Sequence, residues 1–235
     1  MTDYRRREIL LYSKAANGYD AAQRNTAEQI ELIRFAFSQV HRPLVLDLGT
    51  GTAMYLMSVQ DYDQIIAVDI SAKMLENARE RTRGRRIHLV CADMHNLPLN
   101  QTCKFDLITS LGTLGVHTPI TSQFLQSLRV LLKDSGLLFF SSNCLSDHWR
   151  ALLTRKLYEL FRRSPDKHLL VWLSFPYQPF GEAVFLLKRR LKAAGFQSNI
   201  RRKRFSDSNE LLVTFAKPTL SSDDIKGFAK AILKN

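Results

Sequence analysis

The stretch Val45-Leu46-Asp47-Leu48-Gly49-Thr50-Gly51-Thr52-Ala53 decides the fold. Leu44-Val45-Leu46 is a short apolar run set between Pro43 and the two glycines, as a strand buried on both faces should be. The glycines allow a tight turn, and a helix is expected from about Ala53. A glycine turn at the carboxyl end of the first strand lies where open α/β sheets bind ligands. There the backbone can approach a ligand closely, and N–H groups at a helix start can hold a carboxylate or a phosphate.

Downstream of this turn, strand and helix signals alternate. Gln64 to Asp69 (QIIAVD) reads as a second buried strand. Ser71 is an expected N-cap for a helix through Arg83, with Met74, Leu75 and Ala78 on its apolar face. Arg86 to Cys91 and Phe105 to Ser110 are the third and fourth strands, and Leu111 to Val116 is expected to be a loop. A helix over about Ile120 to Leu132 precedes a fifth strand, Gly136 to Ser142. Upstream, residues 5–38 read as helical, broken at Asn17-Gly18.

After the fifth strand the rhythm loosens. Arg150 to Arg163 is amphipathic, and the aromatic stretch His168 to Phe180 is broken by Pro176 and Pro179. Glu182 to Ala194 reads as a helix stopped by Gly195. Phe196 to Arg202 and Leu211 to Ala216 pair as two last strands, and Asp223 to Lys234 closes as a helix, with acids first and lysines last. The expected architecture is therefore one α/β domain. It is a doubly wound, mostly parallel seven-stranded sheet with helices on both faces and the last strand antiparallel. N-terminal helices precede it, and a lid is inserted after strand five.

A chain of 235 residues suffices for one such domain. No apolar run approaches the roughly 20 residues of a membrane span, and no signal-peptide core follows the basic N-terminus. Cys91, Cys103 and Cys144 lack metal-site spacing, so no metal is expected. Their odd number suits buried thiols in a reducing cytoplasm. The net charge of +12 is unevenly spread: residues 144–235 carry 18 of the 34 Lys and Arg but only 8 of the 22 Asp and Glu. Arg162-Arg163, Lys188-Arg189-Arg190 and Arg201-Arg202-Lys203-Arg204 form the runs. They make either a solvated face or a surface for anions: nucleic acid, acidic lipid, or a phosphorylated or carboxylated substrate.

The glycine turn narrows the choice of nucleotide. A dinucleotide fingerprint starting at Gly49 needs glycine at position 54, where this chain has Met54. Asp47 would repel a pyrophosphate and suits a ligand with an ammonium group. S-adenosylmethionine (SAM) has one, along with a carboxylate for the glycine turn. The sequence resembles the class I SAM-dependent methyltransferases, whose first motif, acid-x-Gly-x-Gly-x-Gly, is matched by Asp47-x-Gly49-x-Gly51-x-Ala53. Ala53 replaces the third glycine and is expected to tighten the turn slightly.

The resemblance implies further roles. Asp69, at the end of the second strand, would hold the ribose hydroxyls, two acceptor oxygens meeting two vicinal donors. Ile70 and Met74 would flank the adenine. Asp93 would face the adenine amino group, and the Met94 N–H would bond a ring nitrogen. Ser110 and Leu111 would face the methionine part. Phe105-Asp106-Leu107-Ile108 matches the family's fourth-strand signature, with Asp106 structural. Leu131-Leu132-Lys133-Asp134-Ser135-Gly136 resembles its Leu-x-Pro-Gly-Gly turn. Tyr12 and Tyr19-Asp20 resemble the N-terminal segment that folds over SAM, and otherwise pack a helix onto the core.

On this reading the single domain divides into a helical cap (1–40), a SAM-binding core (41–143), a lid (144–180), a closing helix and hairpin (181–220) and a C-terminal helix (221–235). Trp172, Phe175, Tyr177 and Phe180 would wall the acceptor pocket. His117, in the loop after strand four, is the candidate general base, or a loop histidine that shapes the pocket; His148 is a weaker candidate. The expected reaction is in-line methyl transfer to an O or N nucleophile of a small, anionic or aromatic acceptor. An RNA or tRNA methyltransferase using the basic C-terminal part is the alternative, although no Asn-Pro-Pro-Tyr motif follows strand four. A non-catalytic SAM-binding partner protein ranks third.

Overall fold

The computed structural model describes residues 3–23, 26–100, 102–115, 118–143, 183–204 and 210–232. Seven strands make one sheet: β1 (Leu44–Leu48), β2 (Gln64–Asp69), β3 (Ile87–Cys91), β4 (Phe105–Leu114), β5 (Leu132–Asn143), β6 (Gln197–Arg204) and β7 (Glu210–Lys217). Their order is β3-β2-β1-β4-β5-β7-β6. β1 to β5 pair in parallel, and β7 runs antiparallel to both its neighbours. The winding proceeds outwards from β1 in one direction to β3 and in the other to β5. The turn after β1 thus stands at the switch point of the sheet, where a crevice opens between diverging connections.

The helices are α1 (Asp3–Ala15), α2 (Tyr19–Ala22), α3 (Thr26–Ser38), α4 (Ala72–Arg81), α5 (Ser122–Leu131), α6 (Val184–Ala193) and α7 (Ser222–Ile232). The Asn17-Gly18 break is a short 3₁₀ turn, Ala16–Gly18. Hydroxyls cap two helix starts: Ser71 Oγ accepts from Met74 N at 3.3 Å and Thr121 Oγ1 from Phe124 N at 3.1 Å. Gly195, at φ +83°, ends the segment that α6 begins.

The period of two along each strand divides the core between the two sheet faces. Val45, Ile65, Leu107, Phe139 and Phe215 pack beneath α3 and α7, against Ile33, Phe37 and Phe228. Leu46, Leu48, Ile108, Leu138 and Phe140 pack beneath α5 and α6, against Leu125, Leu128, Leu187 and Leu191. By the same alternation Asp47 shares the α3 face with Val45, and Ser110 shares the opposite face with Ile108.

Three expectations change. No α-helix starts at Ala53; a single 3₁₀ turn, Tyr55–Ser58, follows the glycines. β4 runs on to Leu114, through most of the expected loop. β5 begins at Leu132, directly after α5, and its pairing with β4 jumps from Phe105↔Leu132 to Leu107↔Leu137. The extra residues loop out there, and a Cβ on Gly136 would lie 2.7 Å from Leu132 Cγ and 3.0 Å from the Lys133 carbonyl. Only glycine closes this excursion. The expected helix 150–163 and the lid lie outside the described residues.

Asp106 fastens the lower edge of the central strands. Its carboxylate accepts from Leu44 N at 3.0 Å and from Lys133 Nζ at 2.8 Å, joining the starts of β1, β4 and β5. Asp106→Ala leaves the Leu44 N–H without this acceptor, so urea denaturation should show a loss of about 1–2 kcal/mol. The lesion is remote from the glycine turn, so ligand affinity there should be unchanged.

Candidate cofactor site

The backbone of the turn after β1 is held left-handed at alternate residues, with φ +73° at Gly49, +56° at Gly51 and +58° at Ala53. The first two suit glycine. The third places an alanine where L-residues are strained, costing roughly 1 kcal/mol, while its methyl is fully buried in the core. Gly49 is constrained further: a Cβ there would fall within 2.8 Å of three side-chain atoms of Thr113, on the extended end of β4. Thr113 in turn donates to the Gly49 carbonyl at 3.3 Å.

Two buried carboxylates stand on either side of this turn. Asp47 Oδ1 accepts from Thr109 Oγ1 at 2.6 Å. Asp69 Oδ2 accepts from Gly51 N and its Oδ1 from Ser71 N, both at 2.8 Å. Asp69 therefore ties the turn to the end of β2, and each of its oxygens keeps a second lone pair. Burial pushes the Asp47 carboxyl up to about 6, against the lowering by the Thr109 and Thr50 hydroxyls, and the Asp69 charge raises it further. Burial raises Asp69 as well, opposed by the N–H groups of Ser71, Gly51 and Ile70. No basic side chain among the described residues bonds either acid.

The turn opens onto a cleft lined by Tyr19, Ile33, Asp47, Gly49 to Thr52, Met54, Tyr55, Leu56 and Leu111. The Tyr19 ring leans over Gly51, with Cε1 3.7 Å from where a Cβ would stand. Burial and the nearby Asp69 and Asp20 raise the Tyr19 phenol, and burial with Tyr19 and Asp20 takes Tyr55 up to about 12. Both hydroxyls thus stay protonated at neutral pH.

Not every expected residue joins this cleft. Ser110 faces away, fully buried, and its hydroxyl donates to the Leu48 carbonyl at 2.8 Å. Thr109, one residue earlier, takes the position on the cleft face. The N–H groups of Gly49 and Thr50, expected to be open to a carboxylate, both donate to the Val68 carbonyl, at 2.8 and 3.0 Å. Met74 is buried in α4, and Ile70 and Met94 are half-buried at the ends of β2 and β3. Asp93 forms an ion pair with Arg5 of α1, and Ser13 of the same helix meets Ser71 at 3.3 Å. Helix α1 therefore reaches across the β2–β3 side of the crevice. His117, Trp172, Phe175 and Tyr177 lie outside the described residues.

Residues that the sequence did not point to complete the site. Tyr55 and Ile33 line it, Thr113 braces Gly49, and Arg81 bonds Thr52 and Asp20. Tyr55 was accessible in principle, as an aromatic residue directly after the glycines. The others carry no local signal. Among the described residues no group of three or more His, Cys, Asp or Glu could hold a metal ion.

The donor set fits SAM. A buried acid lacking a cation suits an ammonium group, and a second acid beside it suits ribose hydroxyls and disfavours a pyrophosphate. Comparison with known proteins agrees. Residues 45–136 match the family described as Methyltransferase domain. A malonyl-[acyl-carrier protein] O-methyltransferase from Priestia megaterium is 30% identical over 138 residues, covering 56% of this chain and 48% of the relative. A ubiquinone biosynthesis O-methyltransferase from Haemophilus ducreyi is 31% identical over 105 residues, covering 42% and 44%. The chain spans about half the length of the curated relatives it matches. The N-methyltransferase NodS from Bradyrhizobium japonicum, solved with S-adenosylhomocysteine, superposes with a TM-score of 0.60 at 14% identity, covering 92% of this chain and 100% of that one. The fold is that of the Rossmann-like methyltransferases, and residues 45–136, which hold the glycine turn and both acids, carry the likeness to a methyltransferase domain.

The Asp47 proton links this site to stability. Its folded value of about 6 lies above the unfolded 3.8, so the native chain binds the proton more tightly. Ligand-free stability should therefore fall as pH rises from about 4 to about 6, by roughly 2–3 kcal/mol for this group. Asp47→Asn keeps the Thr109 bond and removes the charge. Urea denaturation across pH 4–8 should show that fall in the wild type, and a more stable Asn variant at pH 7.

Proposed function

We propose that the protein transfers the methyl group of SAM to an O or N nucleophile of a small molecule, by in-line displacement. One observation carries this reading: Asp47 and Asp69, both buried and without a cationic partner among the described residues, flank a left-handed glycine turn that opens onto a cleft. The names of the two relatives above, both O-methyltransferases, favour oxygen as the acceptor atom.

In this reading Asp47 holds the ammonium and Asp69 the ribose hydroxyls. Asp93, Ile70, Met74 and the Met94 N–H serve the adenine side, where Arg5 already shares Asp93. The cofactor supplies a methyl group activated by its sulfonium. The protein's part is to align the acceptor and exclude water, which lowers the barrier by roughly 7–11 kcal/mol when alignment is good. Tyr19, Tyr55, Ile33 and Leu111 give the cleft walls that are apolar apart from two protonated phenols. A carboxylate acceptor needs no base. An alcohol, phenol or ammonium must lose a proton, and His117 is the group we propose to take it.

Calorimetric titration should show binding of SAM and S-adenosylhomocysteine but not of NAD(P)H. Asp69→Ala should weaken the former by at least roughly 10-fold, the loss of a charged hydrogen-bonding group. SAM affinity should rise between pH 5 and 7 as Asp47 loses its proton. Tritiated methyl transfer into a cell extract should label the metabolite fraction. Label confined to RNA would overturn the small-molecule assignment, and unaltered affinity in Asp69→Ala would overturn the cofactor assignment. His117→Ala with unchanged turnover at saturating acceptor would remove it as the base.

A further inference from the structure

We propose that Arg81 is a positioning residue for the cofactor, acting through a three-residue clamp with Asp20 and Thr52 that holds Tyr19 over the glycine turn. The inference rests on the cofactor reading above, because it takes the Tyr19 ring as part of the cofactor's wall.

The clamp is closed on all sides. Arg81 Nη1 donates to the Thr52 carbonyl at 3.2 Å and to Thr52 Oγ1 at 3.0 Å. Arg81 Nη2 meets Asp20 Oδ2 at 2.5 Å. The Thr52 hydroxyl donates to Asp20 Oδ1, also at 2.5 Å. Each member thus bonds both others, and Thr52 is almost fully buried. A planar guanidinium presents its donors in a fixed fork, which a lysine ammonium cannot reproduce.

The members come from three separate parts of the chain. Asp20 lies in the short α2, Thr52 in the glycine turn and Arg81 in the last turn of α4. A basic residue in a last turn ordinarily faces solvent and favours the helix dipole. Here the side chain is spent on the turn and on α2. The sequence neighbours of the other two members show the purpose. Tyr19 precedes Asp20, Gly51 precedes Thr52, and it is the Tyr19 ring that stands over Gly51. Fixing Asp20 to Thr52 fixes ring to turn. Nearby, Asn77 Nδ2 donates to the Ala16 carbonyl at 2.9 Å, so α4 holds the same segment at a second point. α2 is only four residues long and none of its residues is fully buried, so its own packing holds it weakly.

Titration of S-adenosylhomocysteine into the full chain tests this, with thermal midpoints and hydrogen exchange of the ligand-free protein measured alongside. Arg81→Ala and Asp20→Ala should each weaken binding by roughly 10-fold. The double variant should be no weaker than either single one, since one clamp is lost only once. Arg81→Lys should recover a minor part. Exchange in residues 16–23 should quicken in Arg81→Ala while α4 stays protected. Unchanged affinity in Arg81→Ala, losses that add in the double variant, or unchanged exchange in 16–23 would each overturn the proposal. Should Arg81→Ala fail to fold, Thr52→Val keeps the volume and removes the shared hydroxyl; it should weaken binding too, and unaltered affinity there is equally fatal. A wild type that fails to bind S-adenosylhomocysteine sinks the cofactor reading and this proposal together, whereas normal binding that Arg81→Ala leaves intact sinks the proposal alone.

Discussion

The carboxylate of Asp69 carries the site. It receives the Gly51 N–H on one oxygen and the Ser71 N–H on the other, both at 2.8 Å. Through the first it holds the turn after β1 against the end of β2, and through the second it fixes the start of α4. A left-handed turn is floppy unless something over-determines it, because glycine loses more backbone freedom on folding than any other residue. Here the Val68 carbonyl accepts from Gly49 and Thr50 as well, so β2 fixes three N–H groups of the turn. The backbone of the turn is therefore fixed chiefly by the β1–β2 pair, with Thr113 of β4 and Arg81 of α4 bracing it from either side.

The fold was legible because its strands are short, apolar and separated by polar punctuation. The periodicity that placed Leu44-Val45-Leu46 and Gln64–Asp69 is the periodicity of burial on both faces. Where the reading slipped, a local rule met a tertiary constraint. A helix was expected after the glycines, but Ala53 sits at φ +58° and the chain turns once as 3₁₀ before leaving for β2. Ser110 was assigned to the cleft as the last residue of a six-residue strand. Alternation from Leu107 and Ile108 onward puts Thr109 against Asp47 and Ser110 on the α5–α6 face, and the strand then runs irregularly to Leu114.

The site's charged groups divide in the same way. Asp47 and Asp69 were visible because strand ends are identifiable and an acid there is unusual. Arg81 was not, since an arginine near a helix end is commonplace and its partners lie 61 and 29 residues away. Nor does sequence reveal that Arg5 already occupies Asp93. Position within an element is a local property, whereas the pairing of two exposed-looking charges is decided by how α1 and α4 pack, which no pattern of apolar residues encodes.

The two buried acids also bear on which ligands the proposed site would favour. A carboxyl taken out of water prefers its neutral form, and a like charge close by strengthens that preference. Asp47 experiences both, with only hydroxyls to offset them. Ionised Asp47 is therefore disfavoured in the ligand-free fold, and positive charge brought beside it would offset that. A ligand with a negatively charged bridge would add to the penalty, and a neutral one would leave it unchanged. A ligand pairing a cation with hydrogen-bond donors gains on both counts, because the desolvation of the acids was already imposed by folding and need not be met again on binding. On the proposed reading, selectivity for a cationic nucleoside would follow from an arrangement that is unfavourable in its absence.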